Sequence, residues 1–127
     1  MQILFGTLAY IIISFPLAVV WHMKLFRARY IGWQYFGADM RPVLGLAAMV
    51  VQGVLLSCGY AILHVEHLAD LKGLLYALLM GLFLWSAHVL ATMGKNSKLR
   101  NFGFFWLETA YLILQFGLYG LAISYIF

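Results

Sequence analysis

Four apolar runs divide this chain, separated by links that hold almost all of its charge. The first runs from about Ile3 to Met23, the second from Pro42 to Leu63, the third from Gly73 to Met93 and the fourth from Phe102 to Ile126. Each is close to the ~20 residues that an α-helix needs to cross a bilayer core. A segment in lipid must satisfy its own backbone hydrogen bonds, so each run is predicted to be a helix. The expected fold is all-α: one domain over residues 1–127, an integral membrane four-helix bundle.

The links refine this picture. Between Lys24 and Arg41, the bulky apolar residues Leu25, Phe26, Tyr30, Ile31, Trp33, Tyr35 and Phe36 are interleaved with Lys24, Arg27 and Arg29. That mixture predicts a short interfacial amphipathic segment in the headgroup region between helices one and two. Pro42 then suits the first turn of the second helix, where no amide donor is needed. The first and third links hold Lys24, Arg27, Arg29, Arg41, Lys95, Lys98 and Arg100, whereas the opposite side has only Lys72. Such a bias over short links predicts that the basic links are cytoplasmic and both termini are not, the N-out/C-out arrangement of an inner-membrane protein. The N-terminal residues Met1 to Phe5 carry no Lys or Arg and the run after them exceeds a signal core, so the first helix is expected to be retained.

Composition agrees. Only 9% of residues are charged, against about 25% in a soluble domain, too few to cover a water-soluble globule. The net charge of +4 sits in the links, with no basic helix face or soluble module for nucleic acid. Cys58 is the only cysteine, which excludes an intrachain disulfide and a thiolate metal cluster.

Candidate chemistry comes from polar residues inside the runs. His88 lies six residues before Gly94, and Glu108 six residues after Phe102. Each is thus ~9 Å inside its helix, at matching depth on adjacent antiparallel helices. A contact between them is expected, because an isolated intramembrane charge costs ~3 kcal/mol and pairing reduces that cost. Glu108, Tyr111, Gln115 and Tyr119 form a polar stripe at helical spacing, and Trp85, His88 and Thr92 form a shorter one. Gln52 and His22 complete the candidate polar cluster His22, Gln52, His88, Glu108, Tyr111 and Gln115. Ser14, Ala18 and His22 share a face of the first helix. Pro16 interrupts that helix, and Ser14 is expected to bond the carbonyl it frees. Gly45, Ala48, Gln52, Leu55 and Gly59 line one face of the second helix, where small residues permit close approach.

Polar pairs in lipid serve either as interhelical glue or as a proton relay or substrate contact, and the residues alone leave both open. His22 and His88 could instead flank a b-type haem, and His64-x-x-His67 with Glu66 and Asp70 could bind a divalent ion or be a solvated turn. No phosphate loop, dinucleotide fingerprint, nucleophile elbow or His-Glu-x-x-His motif is present. No catalytic residue, cofactor or metal is therefore assigned, and an enzyme is not expected.

The words Ser14-Phe15-Pro16-Leu17-Ala18-Val19-Val20-Trp21-His22, Met80 through His88, Leu107-Glu108-Thr109-Ala110-Tyr111 and Gln115-Phe116 resemble a family of small bacterial four-transmembrane-helix proteins of unknown function. Gln52-Gly53 is similar too. The resemblance covers most of the chain and implies a four-span fold without an activity. The expected function is that of a non-enzymatic accessory or structural subunit, packed in the lipid bilayer against a membrane protein partner or itself as a homo-oligomer. The alternatives are a small proton-coupled transporter using the His/Glu pair and, behind it, a haem-binding redox protein.

Overall fold

The computed structural model describes residues 1–63 and 72–127, and each apolar run in it is a helix long and apolar enough to cross a membrane. We number the helices α1 (Gln2–Leu25), α2 (Arg27–Gly32), α3 (Pro42–Ile62), α4 (Lys72–Lys95) and α5 (Phe102–Ile126). Among the described residues there is no strand. The His64, Glu66, His67 and Asp70 turn falls outside the described residues.

The helix ends follow local rules. Arg41 is extended (φ −119°, ψ 93°) and Pro42 opens α3, as expected of a proline in a first turn. Asn101 caps α5, its Oδ1 accepting the Phe104 amide hydrogen at 2.7 Å. α1 and α4 run about two residues further than their apolar stretches, and each passes through a π-helical turn near its basic end: Trp21–Leu25 and Ser86–Leu90. Pro16 lies inside α1, but Ser14 does not cap the freed carbonyl. Its buried Oγ has no hydrogen bond among the described residues.

Two tight pairs build the bundle. α1 packs along α3, α4 packs along α5, and α1 against α5 joins the pairs. Missing side chains set the closeness of the second pair. A Cβ on Gly120 would lie 2.7 Å from the Leu74 Cα and 3.0 Å from the Gly73 carbonyl oxygen. A Cβ on Gly73 would meet the Gly120 carbonyl oxygen at 2.7 Å. Small residues at a helix interface let the two backbones approach closely. The buried core runs through Tyr10, Phe104, Phe116, Tyr119 and Ile123, while Val43, Leu75, Phe83, Phe102 and other large apolar residues face outward.

α3 and α4 meet towards the end that leads to residues 64–71. There Tyr76 donates its hydroxyl hydrogen to the Leu56 carbonyl at 2.8 Å, and the Tyr60 and Tyr76 rings pack edge to face at 5.2 Å. Towards the basic end α3 is uncovered: every residue from Pro42 to Ala48 is exposed within the chain.

The link between α1 and α3 has one buried and one exposed face. α2 turns its aromatic side into the bundle, with Tyr30 fully buried and Trp33 edge-on to Phe104 at 5.9 Å. Gln34, with a positive φ of 53°, reverses the chain and brings Tyr35 and Phe36 back over the helix ends. Lys98 in the third link holds the Gln34 side-chain oxygen, tying the two basic links together. Arg27, Arg29 and Ile31 remain outside.

The Gly120 contact generates the first prediction. Gly120→Leu cannot be accommodated without separating α4 from α5, and overpacking of this kind costs about 1–3 kcal/mol. A Cβ on Gly45 would have nothing within 4 Å, so Gly45→Ala serves as control. Thermal unfolding in detergent is expected to shift down for the first and hold or rise for the second. Equal melting temperatures for parent and Gly120→Leu would contradict the packing.

Candidate functional site

Glu108 stands in the second turn of α5 and is 0% exposed, so its carboxylate oxygens must find donors within the protein. Three side chains supply them. Tyr30 donates its hydroxyl hydrogen to Oε1 at 2.5 Å, His22 Nε2 lies 2.6 Å from the same oxygen, and His88 Nε2 lies 2.7 Å from Oε2. α1, α2, α4 and α5 thus converge on one carboxylate. Both histidines sit in the two π-helical turns. A π turn widens the helix by one residue and re-aims the side chains beyond it, and such turns often mark functional sites.

Hydrogen-bond direction fixes much of the proton arrangement. Tyr30 accepts from Trp21 Nε1 at 3.2 Å and passes its own hydrogen to Glu108. His22 Nδ1 is 3.0 Å from the Ala18 carbonyl, which can only accept, so Nδ1 carries hydrogen. The hydrogen between His22 Nε2 and Oε1 then makes either an imidazolium facing a carboxylate or a neutral ring facing a carboxylic acid. His88 Nε2 donates to Oε2 in both cases. An electroneutral centre, the only kind that avoids the full cost of a buried net charge, therefore stores one proton on the line between His22 and Glu108.

The two histidines are not equivalent. The His22 side chain is 7% exposed and enclosed by aromatic rings: stacked on Tyr35 at 5.5 Å, and edge to face with Tyr30 and Tyr111 at 4.5 and 4.7 Å. The His88 side chain is 38% exposed, its Nδ1 has no hydrogen bond among the described residues, and the Tyr35 hydroxyl approaches its Nε2 at 3.2 Å. Burial first, and then the Glu108 carboxylate, push the Tyr30 and Tyr35 phenols well above their usual 10.0. Both stay protonated and neutral.

A second polar layer lies further along α5. Gln115 Nε2 donates to the Tyr10 hydroxyl at 2.8 Å, and Tyr10 donates to Gln52 Oε1 at 2.8 Å. Beyond it the Tyr119 and Ser57 hydroxyls are 3.2 Å apart. Between the two layers is a chamber of about 360 Å³ whose lining includes His22, His88, Tyr35, Tyr111, Gln52 and Gln115.

The six sequence candidates thus fall into two groups around one chamber. His22, His88 and Glu108 share hydrogen bonds, and the expected His88–Glu108 contact is present. Tyr111 reaches them through ring packing, while Gln52 and Gln115 meet through Tyr10. Thr92 makes no polar contact with the cluster, and Trp85 instead donates to Thr109 Oγ1 at 2.9 Å. Tyr10, Trp21, Tyr30 and Tyr35 were not among the candidates. Tyr10 had a signal, since it precedes Ser14, Ala18 and His22 by one more helical turn. Tyr30 and Tyr35 had none, because nothing local tells a link aromatic that faces the core from one that faces headgroups.

The arrangement does not fit a haem iron between His22 and His88. Both His22 nitrogens are engaged, and the carboxylate occupies the space between the two Nε2 atoms. No group of three or more His, Cys, Asp or Glu side chains among the described residues is arranged to hold a metal ion. What fold and site define is a helical protein with four membrane-length helices and a buried histidine–glutamate–histidine centre. No family model, curated protein or solved structure matches this chain.

The centre predicts its own alkaline limit. Phenols whose pKa is raised by folding contribute stability that is complete below the ordinary tyrosine value of about 10 and is lost as pH rises above it. Tyr30→Phe removes a donor from Glu108 and strands Trp21 Nε1, a loss of about 1–3 kcal/mol at neutral pH. Melting temperature against pH is expected to be lower for the variant at neutral pH and to fall less steeply for it above pH ~10. Parallel curves for variant and parent would refute this assignment.

Proposed function

We propose that this chain is a small proton-coupled membrane protein whose Glu108 centre takes up and releases a proton in the half of the bundle nearest the basic links. The observation that carries the reading is the convergence of His22, Tyr30 and His88 on one fully buried carboxylate. By the bias of Lys and Arg between links, that half is cytoplasmic and both termini are on the other side, in the inner membrane.

The path of the proton follows from the two histidines. The stored proton lies on the enclosed His22–Glu108 line. His88 is the exchange group: once the stored proton has left, its accessible Nδ1 accepts a proton while its Nε2 hydrogen passes to Glu108 Oε2, which restores neutrality, and the reverse sequence releases one. An imidazole relays in this way because its two nitrogens can exchange donor and acceptor roles. Moving the stored proton onto His88 would leave His22 Nε2 and Oε1 facing each other without hydrogen, so release requires that contact to open. This links protonation to movement of α1 against α5, the element a coupled carrier needs. A bare structural bridge would need none of this asymmetry.

The test is proton exchange after a pH jump, read with a trapped dye in liposomes. Glu108→Gln is expected to abolish the protein-dependent signal, and His88→Phe to slow it about tenfold or more, as expected on losing a positioned acid–base group. A Glu108→Gln protein that exchanges like the parent would end the proposal.

A second reading, an accessory or self-associating subunit, is favoured by a different observation. Pro42 to Ala48 of α3 is exposed on all sides within one chain, a membrane-length helix half without a neighbour. In a Cys58→Ser background, Val43→Cys is expected to form a crosslinked dimer, or an adduct with a copurifying chain, in native membranes. A protein that stays monomeric and uncrosslinked there would count against this reading.

A further inference from the structure

We infer that the chamber beside Glu108 is a binding site for an uncharged, lipid-soluble molecule with a hydroxylated aromatic head, the chemistry of an alkylphenol or a hydroquinone. The inference deepens the proton-coupled reading of the same site and rests on it for the ligand's role, not for its binding.

Four observations bear on the occupant. The first is size: about 360 Å³, within the ~300–1,000 Å³ of small-molecule sites. The second is the polar inventory. His88 Nδ1 is an acceptor without a partner among the described residues whenever Nε2 donates to Glu108, and Gln115 Oε1 is another. Gln52 Nε2 is a donor in the same condition. None of these is a fully enclosed orphan, and all three residues line the chamber. The Tyr35 and Tyr111 hydroxyls face the same space as further donors, so the occupant must both donate and accept hydrogen, which a hydroxyl does and a ketone or ether, able only to accept, does not. A charged head is excluded because the wall holds no Lys or Arg and the centre is already neutral.

The third observation is the wall between the polar ends. Tyr35, Phe36, Tyr111 and Phe116 contribute ring faces and edges, with Met49 and Leu84 between them, surfaces that stack with a flat ring. The fourth is access. A second cavity of about 290 Å³ shares Ala18, His22, Phe36, Gly45 and Met49 with the chamber and continues between α1 and α3 past Phe15, Val19 and Leu46. Phe15, Val19 and Leu46 are apolar and suit a hydrocarbon tail, while Arg41, which also lines this branch, pairs with Asp39 at 3.1 Å. The branch opens beside the uncovered half of α3, where Gly45 has no neighbour. The ligand therefore comes sideways from lipid, head first, and its hydroxyl donates to His88 Nδ1. A bound hydroxyl there occupies the nitrogen through which the centre exchanges protons, which couples occupancy to protonation.

The test uses para-heptylphenol and its methyl ether, with binding to detergent-purified protein measured by calorimetry against empty micelles. Saturable binding of the phenol is expected, with the ether about tenfold weaker or more, because it has lost the donated hydrogen. Gly45→Phe, with Ala48→Phe as a second blocking variant, is expected to weaken phenol binding about tenfold. Glu108→Gln is expected to retain phenol binding while losing exchange, so a failure of the proton-coupled reading alone appears as binding without exchange in the parent. Equal affinity for phenol and ether, binding undiminished in both blocking variants, or no saturable binding overturns the inference.

Discussion

A single carboxylate with no access to water dictates the arrangement of the basic half of this molecule. Glu108 can be buried in an apolar bundle only if its charge is balanced and its oxygens are provided with donors. His22 meets the first demand, and Tyr30 and His88 complete the second. Each donor comes from a different segment, so the carboxylate positions α1, α2 and α4 around α5. The π-helical turns under both histidines follow from the same requirement, since ordinary helical spacing would aim those rings elsewhere. The link between α1 and α3 is drawn inward for the same reason, bringing Tyr30 to Oε1 and Tyr35 over His22 and His88.

The remainder of the bundle is held differently. Away from Glu108 the helices adhere through missing side chains, with Gly73 and Gly120 allowing α4 and α5 to touch backbone to backbone. Polar contacts there are neutral and sparse: Tyr10 between two glutamines, and Tyr119 with Ser57. α3 is held at one end by α1 and Tyr76 and left free at the other. One half of the molecule is thus a closely packed support, and the other a chamber walled in part by His22 and His88, with an opening towards α3. A protein built only for stability would have little reason to place its costliest buried group beside an open chamber.

Asymmetry between the histidines gives the centre its chemical direction. Two nitrogens of His22 are committed and its ring is walled by tyrosines, so its proton is held. His88 keeps one nitrogen free at an accessible position. The difference arises from surroundings rather than residue type: the Ala18 carbonyl lies under His22, whereas the uncovered end of α3 leaves His88 open.

Much of this was legible in the residues alone. Four membrane-length apolar runs are sufficient for four helices, because lipid leaves the backbone no other way to satisfy itself. Matching depths of His88 and Glu108 on antiparallel neighbours are sufficient for their contact, since helical rise is constant. Periodicity likewise put Gln52, Tyr111 and Gln115 on inward faces. Tertiary structure alone decided that His22 shares the carboxylate, that Tyr30 and Tyr35 turn towards the histidines, and that Tyr10 joins the two glutamines. Those contacts span 42 to 105 positions along the chain. Hydrophobic patterning reports only whether a position faces lipid or protein, and it carries no information on which distant partner a polar group will meet.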